Sequence, residues 1–263
     1  MNVVSTSRGR VAAQISGHGP SLVLLHSLLA DRTSFDAVVP QLAQSFRVIA
    51  LDLPGFGESD AIDGDLNVWG GHLAEAVRAL CPNEHPVLVG NGFGSFLAVA
   101  IGITEPNLAS HIVLAGCGAA FSDQGREAFR IMARKTEEAG LEAIADIAMR
   151  RLYPPAMAAE NPDAVAVRRE RFLKTDSKVF RQACGMLAGL DLRDKVQELD
   201  IPVLASVGEW DEATPPAMAQ ELSNLVPNGR FELITECAHV PPLQAPEKFC
   251  AMVQEFTAAK AAA

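Results

Sequence analysis

Six short apolar runs set what this chain can fold into: SLVLLHS (21–27), FRVIALD (46–52), PVLVG (86–90), HIVLAG (111–116), IPVLASVG (201–208) and RFELIT (230–235). Gly, Pro and Asp bound them, and most are apolar on both faces, which predicts strands of a parallel sheet covered by helices on either side. Helical spacing fills the gaps between them. Trp69, Leu73, Val77 and Leu80 recur on one helical face, as do Phe249, Met252, Val253 and Phe256. Strands alternating with helices in this way imply an α/β three-layer sandwich.

The alternation stops between Gly116 and Ile201, where no run reads as a strand and helical segments are expected at 123–152, 163–175 and 177–189. Tyr153-Pro154-Pro155 and Thr175-Asp176-Ser177 separate them. The interval reads as a helical cap, 119–195, inserted into a core formed by 1–118 and 196–263. It is expected to sit over the strand ends that carry the site; extra core helices are the alternative. With 263 residues and 49% hydrophobic content, the chain can bury one large core carrying such an insertion. Its only low-complexity stretch is the tail TAAKAAA.

A net charge of -10 repels phosphates, which excludes nucleic acid and anionic membrane surfaces as expected partners. Cys81, Cys117, Cys184, Cys237 and Cys250 are odd in number and contain no C-x-x-C pair, a pattern of reduced thiols. The N-terminus lacks the features of a signal peptide and no segment approaches a membrane span, so a cytoplasmic location is expected. His18, His26, His72, His85, His111 and His239 form no zinc-like spacing, and neither metal nor cofactor is implied.

Residues 87–96 read VLVGNGFGSF, a strand followed by alternating glycines at the start of a helix. Acyl-transfer chemistry needs an attacking oxygen, a base for its proton, an acid that orients the base, and N–H donors for the oxyanion. In G-x-S-x-G enzymes the nucleophile occupies such a strand-to-helix turn, and acid and base follow in that order. Here Gly92 holds the nucleophile position, Asp211 in VGEWDEATPP is the candidate acid, and His239 in ECAHVPPLQAPEKF the candidate base. Asp211 is expected to bond one ring nitrogen of His239, with the other facing Gly92. The backbone N–H groups of Leu28 and Phe93 are the candidate oxyanion donors. His26-Ser27 reads as structural, and LDLPGFGESD (51–60) as a tight turn bordering the pocket. Ser27, Phe129, Met132, Tyr153, Met186 and Trp210 are the candidate substrate-pocket residues. Ser95, three residues into the helix, and Cys117, a small apolar filler, are rejected as substitute nucleophiles.

LLHSLLADRTSF, LDLPGFGESD, VLVGNGFGS, VGEWDEATPP and ECAHVPPLQAPEKF together resemble the α/β-hydrolase superfamily along nearly the whole chain. The resemblance implies a mostly parallel eight-stranded sheet with an inserted cap. DEATPPAMA with the segment RFLKTDSKVFRQACGMLAGLDLRD is similar to 3-oxoadipate enol-lactonases, and the Gly-Asn before the turn resembles C–C bond hydrolases of aromatic ring-fission products. Gly92 departs from the family pattern and is either the natural residue or a replacement of serine. The expected function is hydrolysis of an ester, enol-lactone or C–C bond of a small carbonyl substrate. The alternatives are an Asp211–His239 general base acting on water or substrate, and a small-molecule receptor. The expected partner is a small-molecule substrate, and a homodimer is left open.

Overall fold

The computed structural model describes residues 1–258, so the tail TAAKAAA falls outside it from residue 259 on. Among the described residues, eight strands form one sheet: β1 (Asn2–Ser5), β2 (Arg10–Ser16), β3 (Ser21–Leu25), β4 (Arg47–Leu51), β5 (Val87–Asn91), β6 (His111–Ala115), β7 (Val203–Gly208) and β8 (Gly229–Ile234). Their order is β1-β2-β4-β3-β5-β6-β7-β8. β1 pairs antiparallel with β2, and β2 with β4, while all other neighbours are parallel. The six apolar runs are β3 to β8. The first two strands escape that reading because β1 is largely exposed and β2 is broken by the polar residues Arg10, Gln14 and Ser16.

Eleven helices flank the sheet among the described residues: α1 (Val39–Leu42), α2 (Leu66–Leu80), α3 (Phe93–Thr104), α4 (Asp123–Ala139), α5 (Glu142–Leu152), α6 (Pro155–Glu160), α7 (Pro162–Leu173), α8 (Ser177–Ala188), α9 (Pro216–Leu225), α10 (Pro241–Gln244) and α11 (Pro246–Ala258). Strand pleating sorts the core. Leu22, Leu24, Val48 and Ala50 face a layer that includes Phe249, Val253 and Phe256 of α11. Val23, Leu25, Ile49 and Leu51 face the layer that includes Trp69, Leu73 and Val77 of α2 and Leu97 and Ile101 of α3. This is the α/β-hydrolase fold expected from the sequence.

Helices α4 to α8 occupy the strand-free interval. The expected segment 123–152 is divided at Gly140, whose φ of +71° ends α4 in the left-handed conformation that glycine adopts without cost. Asp31, in the loop after β3, accepts a 2.9 Å hydrogen bond from Arg168 of α7 and ties these helices to the core. Burial pushes the Asp31 carboxyl up, but the charge of Arg168 and hydrogen bonds from Thr33 outweigh it and hold it below the ordinary carboxylate range. No helix among the described residues is long and apolar enough to cross a membrane.

Candidate active site

β5 is central, between β3 and β6, and its carboxyl end delivers Gly92 as the N-cap of α3. The backbone there has φ +54° and ψ −116°, which costs a residue with a side chain about 1–3 kcal/mol. A Cβ at Gly92 would lie 2.8 Å from Ser27 Oγ and 3.1 Å from His239 Nε2. One point therefore has a hydroxyl on one side and an imidazole nitrogen on the other.

β7 and β8 supply the two titratable groups at the same edge. His239 Nδ1 lies 2.9 Å from Asp211 Oδ2 and 3.1 Å from Oδ1. Asp211 Oδ1 also accepts from the backbone N–H groups of Ala213 (2.8 Å) and Thr214 (3.0 Å), and Oδ2 accepts from the Thr214 hydroxyl at 2.7 Å. Burial would raise the Asp211 carboxyl, but the His239 ring and these hydrogen bonds outweigh it, so it is held below its ordinary range. An ionised Asp211 accepts the Nδ1–H of His239 and leaves the Nε2 lone pair facing Gly92.

The loop after β3 is braced from behind. His26 Nδ1 donates to the Ser27 carbonyl at 2.9 Å, and its Nε2 accepts from the Leu53 N–H at 3.1 Å, so the ring is one neutral tautomer; burial lowers its basicity. The 51–60 turn stands behind this loop and not in the wall of the inner cavity, which corrects its expected place. Asp52 pairs with Arg32 at 2.9 Å, and Phe56 packs edge-on against the His26 ring. Neither the Leu28 nor the Phe93 N–H donates to another group among the described residues.

A narrow inner cavity is lined by Ser27, Leu28, Gly92, Phe93 and His239, with Phe129 and Met132 of α4, Arg151 of α5 and Leu187 of α8 over them. An outer, more open groove meets it at His239, Ala213 and Arg151. Trp210 lines this groove with 57% of its surface exposed, outside the inner cavity. Tyr153 and Met186 line neither space. Tyr153 is buried in the core at the end of α5, and Met186 lies one residue from Leu187, so the helical turn points it elsewhere. Cys117 is buried, and burial together with the charge of Asp211 raises its thiol, consistent with an inert filler.

Three neighbours of the dyad lie inside motifs of the sequence but are not among its candidate site residues. Asn91 donates to the carbonyls of Ala115 (2.9 Å) and His239 (3.0 Å) and pins the histidine backbone. Thr214 buttresses Asp211. Gln244 Oε1 accepts from the Ala238 N–H at 2.9 Å, while its Nε2 donates to the Arg151 and Leu152 carbonyls at 3.2 and 3.0 Å. It joins the His239 loop to α5. Gln244→Ala is expected to lower unfolding stability by about 1–3 kcal/mol, because four backbone groups, those of Ala238, Val240, Arg151 and Leu152, lose their partner. Urea denaturation checks this, and an unchanged midpoint would mean that the loop is held in another way.

A family model described as the alpha/beta hydrolase family matches residues 22–252. The pimeloyl-[acyl-carrier protein] methyl ester esterase of Aeromonas hydrophila is 27% identical over 254 residues, covering 94% of this chain and 98% of its own. A thermophilic esterase from Thermogutta terrifontis, solved with malate bound, superposes with a TM-score of 0.87 at 26% identity, covering 98% of each chain. The enol-lactonase of Burkholderia xenovorans superposes with a TM-score of 0.89 at 22% identity, covering 98% of this chain and 100% of its own, a likeness of fold.

Proposed function

The chain belongs to the alpha/beta hydrolase family, and on that premise we propose that it is an esterase-type hydrolase of small carbonyl esters or lactones. The observation that carries the reading is the aim of the dyad: His239 Nε2 points at the turn where Gly92 sits, beside two unpaired N–H groups. In this reading His239 takes the proton of the attacking group, Asp211 fixes the ring and stabilises its charge, and the Leu28 and Phe93 N–H groups hold the oxyanion. Helices α4 to α8 act as a cap, 119–195, over a core of 1–118 and 196–263. The esterase names of the relatives favour ester over C–C bond cleavage. A receptor that only binds would need neither the oriented imidazole nor the free amides.

Phe96, Phe121, Phe129, Met132 and Leu187 make the inner cavity apolar and suited to an acyl chain or ring. Arg151, where cavity meets groove, has no side-chain hydrogen bond or ion pair among the described residues. The substrate class is accordingly an ester or lactone whose outer end bears a carboxylate, received by this guanidinium. Arg151→Ala is expected to raise KM about 10- to 100-fold for esters carrying a carboxylate and far less for neutral ones. Equal effects on both would remove the carboxylate from the substrate. His239→Ala tests the reading as a whole: p-nitrophenyl ester turnover is expected to fall about 10²–10⁴-fold, and unchanged turnover would refute it.

A further inference from the structure

We propose that Ser27, in the loop after β3, supplies the nucleophilic hydroxyl that position 92 lacks; the inference rests on the hydrolase reading above. Only two residues lining the inner cavity carry a hydroxyl, Ser27 and Thr214. Thr214 Oγ1 is committed to Asp211 at 2.7 Å, and Ser95, in the helix behind, is committed to the Gly90 carbonyl at 2.9 Å. Ser27 is 1% exposed, and its hydroxyl makes no hydrogen bond among the described residues. It borders the same point as His239 Nε2, the point where a Cβ of residue 92 would sit.

The backbone supports the exchange of roles. In a strand-to-helix turn, the N–H of the residue after the nucleophile is one oxyanion donor and the second comes from the loop after an early strand. Phe93 follows Gly92, and Leu28 follows Ser27. Each donor thus follows a candidate nucleophile position, so moving the hydroxyl from 92 to 27 leaves the same two N–H groups around the reacting carbonyl.

Ser27 Oγ and His239 Nε2 do not hydrogen-bond to each other in this structure. Rotation about the Ser27 Cα–Cβ bond into the space left by Gly92 brings them together, and such contacts commonly tighten only when substrate is bound. The Oγ–carbonyl carbon bond then forms as the hydroxyl proton passes to Nε2, and the carbonyl π pair moves onto oxygen. Collapse restores the carbonyl and breaks the bond to the leaving alkoxide, which takes the proton from Nε2. Water repeats the sequence on the acyl-Ser27 ester, releasing the acid and restoring the hydroxyl.

The test is reaction of the full chain with an alkyl fluorophosphonate, followed by peptide mass mapping, alongside burst kinetics on p-nitrophenyl butyrate. In the parent protein the Ser27 oxygen is expected to displace fluoride from the reagent's phosphorus and carry the phosphonyl group. Ser27→Ala is expected to lose the label and the burst, with kcat lower by at least ~10²-fold. Ser27→Cys, which keeps an attacking atom, should still be acylated, and thermal unfolding confirms that both variants fold. A label on any other residue overturns the proposal. So does a Ser27→Ala protein that turns over like the parent while His239→Ala does not; water would then be the attacking group and the hydrolase reading would stand. Turnover surviving in His239→Ala would instead bring down the hydrolase reading itself.

Discussion

An Asp211→Asn variant is expected to keep its fold and lose about 10⁴ in kcat, by the tautomer argument that applies to other acid–histidine pairs. The direction follows from the carboxylate's partners. Oδ1 accepts two rigid backbone N–H groups, from Ala213 and Thr214, so the amide oxygen of asparagine must take that place. The NH₂ then falls at the Oδ2 position, 2.9 Å from His239 Nδ1, and donates to it. The ring proton is forced onto Nε2, where a base needs a lone pair. The Thr214 hydroxyl can reverse and accept from the new amide, so the hydrogen bonds around the side chain are kept. Steady-state kinetics with ¹⁵N spectra of the imidazole decide the matter: undiminished kcat with the proton on Nε2 would remove His239 from proton transfer.

The same variant carries a pH signature. Asp211 is held below its ordinary range in the folded chain, so its contribution to stability is present above the unfolded carboxyl's range and is lost as pH falls through the lowered folded value. The amide that replaces it in Asp211→Asn cannot titrate. The variant's unfolding midpoint should fall less steeply toward acid than the parent's.

The parallel strands and the dyad were legible in the sequence because each depends on local pattern. A buried strand must be apolar on both faces, and the order of elbow, Asp211 and His239 mirrors the order of β5, β7 and β8 along the sheet edge. The antiparallel pair β1–β2 was not legible, since an exposed edge strand needs no apolar run. The support for the dyad was hidden for another reason. Gln244 and Asn91 act through bonds to carbonyls 92 and 148 residues away in sequence, and no spacing rule spans such distances. Ser27 is the sharpest case. In the sequence it reads as loop structure beside His26 and as a pocket residue, and only the fold brings its hydroxyl next to Gly92.

The second large effect is a rescue. In a Ser27→Ala background, Gly92→Ser is expected to restore ester turnover roughly 10²–10⁴-fold, part of the ~10⁶ that a serine is worth in a fully tuned triad. Acylation should move to residue 92. The cost is about 1–3 kcal/mol of stability, because serine must take the φ of +54° that glycine adopts freely. In the parent background the same substitution should do worse on both counts. A Cβ at 92 comes within 2.8 Å of Ser27 Oγ, so the two hydroxyls compete for one space beside one base. The two positions should therefore couple, with Ser27→Ala relieving part of the destabilisation caused by Gly92→Ser; contacting residues typically couple by about 0.5–3 kcal/mol. Additive stabilities and additive rates across the four proteins would mean that positions 27 and 92 do not share the reacting point. A rescue without that coupling would place the new serine at the base but leave Ser27 as a wall of the pocket, and the labelled residue in the parent then decides which of the two it is.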